Sequence, residues 1–215
     1  MITVSAIIAG VRRRQFGGEQ GMTLVELVVA MAILAIALVI FLSTLTTIQK
    51  ATVDEQHRSD TVDQVRLAMQ SIDRQVRSGN LLYNPNTAYG TPPLPANYTL
   101  LIYTQSNLPT TGDKCVLWSI NAANQLVTRA WPPLQPEDAT QWQVVAEGVV
   151  NRVGATPTTA FSLDPTGRTI TLTFLVNTDL AHSPNATQRL KSSVTGRNTS
   201  FGYPVNVCED PPVPT

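Results

Sequence analysis

Gly21-Met22-Thr23-Leu24-Val25-Glu26-Leu27-Val28-Val29-Ala30-Met31 opens an apolar run that continues to Leu42, with one acid just inside its start. After Glu26 the next charged residue is Lys50, so Leu27 to Gln49 makes 23 consecutive uncharged positions. At roughly 1.5 Å per residue that run makes about 34 Å of helix, enough to cross the hydrocarbon core of a bilayer. Arg12, Arg13 and Arg14 lie upstream, and Lys50 is followed closely by Asp54 and Glu55. The excess of basic residues before the run places the N-terminus in the cytoplasm and the residues after about 50 outside.

Glu26 is the anomaly in this stretch. A charged side chain at the centre of a membrane helix costs about 3 kcal/mol, less near an end, and such a residue usually has a partner. An ordinary secretory signal keeps its apolar region free of charge and ends it at small residues. Here a basic segment runs to a glycine, and the carboxylate stands five residues beyond it. A cut between Gly21 and Met22 would expose a new α-amine, which the carboxylate of Glu26 could neutralise within a chain or between packed helices.

These residues, Gly-Met-Thr-Leu-Val-Glu-Leu-Val-Val-Ala-Met, resemble the class III signal of type IV pilins and type II secretion pseudopilins. The resemblance implies a prepilin peptidase that cuts after Gly21 and N-methylates Met22. It implies that Glu26 neutralises the terminal amine of a neighbouring subunit during filament assembly. Met22 stands where phenylalanine is commoner in the family. The family also implies other pilin or pseudopilin subunits as partners and the inner membrane as the place of waiting before assembly.

Fifteen basic and fifteen acidic residues leave no net charge, so the total gives no reason to expect nucleic acid as a partner. The expected divisions are a leader at 1–21, a membrane or filament-core helix at 22–49, and an amphipathic half-helix at 50–79. An exported β-rich domain at 80–208 and a flexible, acidic, proline-rich tail at 209–215 follow. Cys115 and Cys208 both fall in the exported part, where a disulfide persists; the alternative is two separate buried thiols. Pilins often staple a C-terminal region with such a pair, so the resemblance implies the bridge. Closing so long a loop would constrain the unfolded chain by about 4–5 kcal/mol.

Residues 23–78 hold no proline or glycine and read as one helix. Beyond Lys50 the pattern turns amphipathic, with Val62, Val65, Met69, Ile72 and Val76 forming a narrow apolar stripe and Asp63, Arg66, Asp73 and Arg77 on other faces. Gly79-Asn80 supplies the stop, and prolines 85, 92, 93 and 95 mark 81–97 as a loop. Strands are expected at 99–105, 114–121, 125–131, 141–150 and 169–177, and Asp164-Pro165-Thr166-Gly167 makes a turn after Phe161–Leu163. Short connections imply an antiparallel sheet with one apolar face over the helix stripe. The fold class is therefore α+β: a long N-terminal helix packed on an antiparallel β-sheet domain. Residues 190–198 resemble the closing segment of J-type minor pseudopilins and minor pilins, where a strand ends in Arg-Asn.

No catalytic, cofactor-binding or metal-ligating constellation is legible. There is no Gly-x-Ser-x-Gly, no phosphate-cradling glycine loop and no His-Glu-x-x-His. His57 and His182 are isolated, and the acid pairs Glu137-Asp138 and Glu209-Asp210 lack the spaced oxygens of a calcium loop. Together with this, the resemblance implies a structural subunit, a minor pilin or pseudopilin, rather than an enzyme. The alternative is a membrane-tethered binding protein or adhesin that never polymerises.

Overall fold

In the computed structural model the described residues are 22–89, 93–104, 112–180, 183, 186–196, 203–204 and 206–208. The leader, Gly21, His182, Arg197-Asn198 and the tail at 209–215 lie outside them. The chain divides into two compact units, Met1–Ala51 and Thr52–Thr215.

The helix α1 runs over Leu24–Arg77, within one residue at each end of the expectation. In the first unit it is long and apolar enough to cross a membrane, and its side chains from Met22 to Ala51 are exposed. Ser43, Thr44, Thr46 and Thr47 close the apolar stretch without leaving a loose donor. The hydroxyls of Ser43 and Thr44 donate to the Ile40 carbonyl at 2.8 and 2.9 Å, and those of Thr46 and Thr47 donate to the Ser43 carbonyl at 2.9 Å each. Hydroxyls that bond back to their own helix enter an apolar medium already satisfied.

In the second unit α1 buries Thr61, Val62, Val65, Ala68, Ile72, Gln75 and Val76. The stripe differs from the expected one at two places. Met69 is half-buried at its edge, and Ala68 takes the inner position. Gln75, a polar residue that hydrophobic spacing passes over, is buried because its Oε1 accepts the indole Nε1–H of Trp118 at 2.7 Å.

The expected single sheet is two. Sheet A has five antiparallel strands in the order β1-β2-β3-β4-β5: Gly79–Leu82, Thr99–Thr104, Lys114–Ile120, Leu126–Trp131 and Gln143–Ala146. Sheet B has three, β6-β7-β8: Phe161–Leu163, Thr169–Val176 and Gln188–Thr195. The strand β1 corrects the expected loop. Gly79-Asn80 does end the helix, but the chain at once pairs antiparallel with β2, Leu82 opposite Ile102. The expected strand at 141–150 also shortens. Gly148 adopts φ +64°, and beyond it Val149 bridges to Val176, so one stretch of chain leaves sheet A and touches sheet B. The 164–167 turn is present, with Asp164 Oδ1 accepting the amides of Arg168 and Thr169 at 2.9 and 2.8 Å.

Two cores result. The inner one gathers the α1 stripe with Leu100, Ile102, Val116, Trp118 and Ile120 of sheet A and Ile170, Leu172, Phe174 and Val176 of sheet B. The four β7 residues alternate as the sequence predicts. The outer core lies on the opposite face of sheet A, where Leu101, Tyr103, Cys115, Leu117 and Trp131 meet Leu81, Leu94, Val207 and Cys208. With both faces covered, β2 reads as the unbroken run Leu100-Leu101-Ile102-Tyr103 rather than as an alternation. Burying Leu, Ile or Phe side chains of this kind contributes about 1.5–3 kcal/mol each.

Candidate functional site

The segment in which the sequence places processing and assembly leads into the start of α1. Thr23 precedes the first helical residue, and its Oγ1 accepts the backbone N–H of Glu26 at 3.3 Å while its carbonyl accepts that of Leu27 at 3.1 Å. Thr23 is thus the cap of the helix, with Glu26 three residues on, the pattern in which a hydroxyl and an acid share the free amides of a first turn. Glu26 also lies in the turn where a negative charge meets the positive end of the helix dipole. Thr23 was not singled out above. The signal that identifies it is Thr-x-x-Glu directly before an apolar run.

Met22 and Glu26 therefore stand on either side of this cap, both exposed, in one unit of the chain. Gly21, the other half of the expected cleavage bond, is outside the described residues. With Leu24, Val25, Leu27 and Val28 exposed around it, the Glu26 carboxylate sits in a wholly apolar collar.

Cys115 and Cys208 are brought together in the second unit, joined as a disulfide across 93 residues with a Cα–Cα distance of 5.7 Å. Cys115 sits on β3 facing the outer core, and Cys208 ends a turn laid against it. The bridge is supported locally. The amide of Cys208 donates to the Tyr83 hydroxyl at 3.1 Å, and the Leu134 N–H donates to the Val207 carbonyl at 3.1 Å. Tyr83 packs edge-on against Tyr89, and Tyr103 against Tyr203 at 5.3 Å between ring centroids.

The phenols of this core are held neutral. Burial pushes Tyr89 up to about 12, and its hydroxyl donates to the Asn84 carbonyl at 2.7 Å. Tyr103 is pushed higher still, first by burial and then by donating to Asp113 Oδ2 at 2.5 Å. At the 164–167 turn Asp164 moves the other way. The Thr166 hydroxyl and the amides of Thr169 and Arg168 hold its carboxylate below the usual range. These shifts follow from packing and turn geometry and gather no nucleophile beside a base.

The remaining sequence candidates stay apart. His57 is exposed on α1, and Glu137 and Asp138 are exposed on one turn of 3-10 helix, Pro136–Asp138. Among the described residues no three of His, Cys, Asp or Glu come together in a way that could hold a metal ion. Trp118 and Trp131 are core residues, and Trp142 is half-buried under the Arg129 guanidinium, 5.7 Å from its ring centroid.

Among known proteins, no curated protein and no solved structure matches the chain. The family model for the prokaryotic N-terminal methylation motif matches residues 17–42, from the glycines before the cleavage bond to the end of the apolar run. The chain carries the prepilin class III signal on a helix long and apolar enough to cross a membrane, which supports a type IV pilin-like family.

Proposed function

We propose that the chain is a structural subunit, a minor pilin or pseudopilin, of a type IV pilus or a type II secretion pseudopilus. The observation that carries this reading is the methylation motif at 17–42 running directly into the apolar part of α1. In this reading a prepilin peptidase hydrolyses the bond between Gly21 and Met22, and the new amine of Met22 is N-methylated. The subunit waits in the cytoplasmic membrane as a single span with its N-terminus inside, and the domain at 80–208 outside. It then leaves lipid for a bundle of like helices, where Glu26 pairs with the terminal amine of a neighbour.

The chemistry is physical rather than catalytic. Apolar side chains exchange lipid for helix–helix contact, and the one charge in the apolar collar requires a counter-charge. The segment at 190–198, whose residues 190–195 are the last six of β8, supports the minor, J-type form by its resemblance. The disulfide fits a domain that matures in an oxidising compartment.

The test is the mass of the N-terminal peptide from cells with and without their prepilin peptidase. The expected result is a chain that begins at N-methylated Met22 only when the peptidase is present. An intact leader, or a start beyond Val39, overturns the reading and leaves a tethered, non-polymerising binding protein.

A further inference from the structure

Within the second unit a groove of about 440 Å³ lies between α1 and strands β3–β5. Its helix wall carries Leu67 and Ala68, its sheet wall Val116 and Val145, and its two charged side chains are Lys114 and Arg129. No acid lines it. Leu67 is 63% exposed on the rim, an apolar side chain on an otherwise polar face of the helix.

The charges along α1 are divided by position. The stretch 52–63 holds Asp54, Glu55, Asp60 and Asp63 against Arg58 alone, while 64–77 holds Arg66, Arg74 and Arg77 against Asp73 alone. The four acids of the first stretch are exposed, although Thr61 and Val62 between them are buried, and the stretch carries its own exposed apolar side chain, Val53, at 48%. The basic stretch borders the groove that adds Lys114 and Arg129. One chain therefore presents both an acid-rich helix segment, with Asp60 on the same side as Val53, and a basic, Leu-bearing groove.

We propose that the groove receives the acid-rich stretch 52–63 of a second copy of this chain, with Val53 of one copy against Leu67 of the next. The inference rests on the filament reading above and specifies how neighbours fit. Because the two surfaces differ, the contact is head-to-tail and repeats along an axis. Val53 and Leu67 are fourteen residues apart, so adjacent copies are offset by about 21 Å along the helix. The charge pattern sets that offset: in register, acids face acids, and with the shift they face Lys114, Arg129 and the helix arginines. A subunit built this way occurs in runs of at least two.

The experiment uses full-length chains in their own membrane, expressed as two differently tagged copies, one Val53→Cys and the other Leu67→Cys. Mild oxidation is read as a cross-linked pair carrying both tags, alongside co-purification of the tags and the mass of the N-terminal peptide. The expected result is a cross-link that falls about five-fold when Lys114→Glu and Arg129→Glu are placed on the Leu67→Cys copy. Asp60→Lys on the other copy, on the same side of the helix as Val53, restores it. Copies that co-purify without this cross-link overturn the groove and leave the filament reading standing. Copies processed at Met22 that do not co-purify, or a Leu67→Cys copy that links only to a different protein, overturn self-association. Chains that keep their leader overturn both readings.

Discussion

At the scale of single residues, Glu26 has two roles that pull on one carboxylate. It stabilises the first turn of α1, where Thr23 already holds its amide, and it stands charged among exposed Leu24, Val25, Leu27 and Val28. The cap is local and survives loss of the carboxylate, because the Thr23 bond is made to the backbone. If the proposed filament reading holds, Glu26→Ala is expected to be cut at Gly21 but to assemble poorly, because an amine of a neighbouring subunit would then lose a partner worth about 3–5 kcal/mol. The check is the share of the variant in sheared filaments beside its N-terminal mass. Incorporation at the native level with a normal Met22 start would remove Glu26 from assembly. The residue itself was legible because an acid in an apolar run is conspicuous. Gln75 was not: it enters the core through its hydrogen bond to Trp118, a partner 43 residues away that no periodicity reveals.

At the scale of elements, the chain just after β8 comes close to the last turn of α1. A Cβ built on Gly196 would lie 2.6 Å from the backbone carbonyl oxygen of Val76 and 3.1 Å from Leu82 Cδ1. Backbone cannot give way as a flexible side chain does, so Gly196→Ala is expected to cost about 1–3 kcal/mol. A denaturant midpoint equal to the native one would show that β8 is free to move from the helix. The long elements were readable in the sequence for physical reasons. An uninterrupted apolar run makes α1 plain, and Ile170, Leu172, Phe174 and Val176 give β7 the period of a strand with one covered face. The short ones were not. Gly79–Leu82 begins with the glycine and asparagine that mark a helix end, and its pairing with β2 is decided by a strand some twenty residues on. The division into two sheets was hidden because 141–150 holds two valine pairs in one strand-like stretch, and the positive φ of Gly148 separates its two allegiances.

At the scale of the whole molecule, the outer core makes stability depend on alkaline pH. Tyr89 and Tyr103 both keep their protons in the folded state above the value of about 10 expected of a free phenol. Their contribution is complete below that value and is lost as pH rises, because the unfolded chain releases both protons first. Between about pH 10 and 12 the loss is about 1.4 kcal/mol per pH unit for each phenol. For Tyr89 it levels off near its own folded value of about 12. Unfolding by denaturant across that range checks this, and Tyr103→Phe is expected to flatten the slope; an unchanged slope would mean that Tyr103 ionises freely. The segment that covers these rings, 203–208, is synthesised after every strand of both sheets. The inner core can close on α1 while Leu101, Leu117 and Trp131 still await their cover. The Cys115–Cys208 bond can therefore form only after every described strand has been made, and a chain halted before Cys208 would leave a sticky, aromatic sheet face bare.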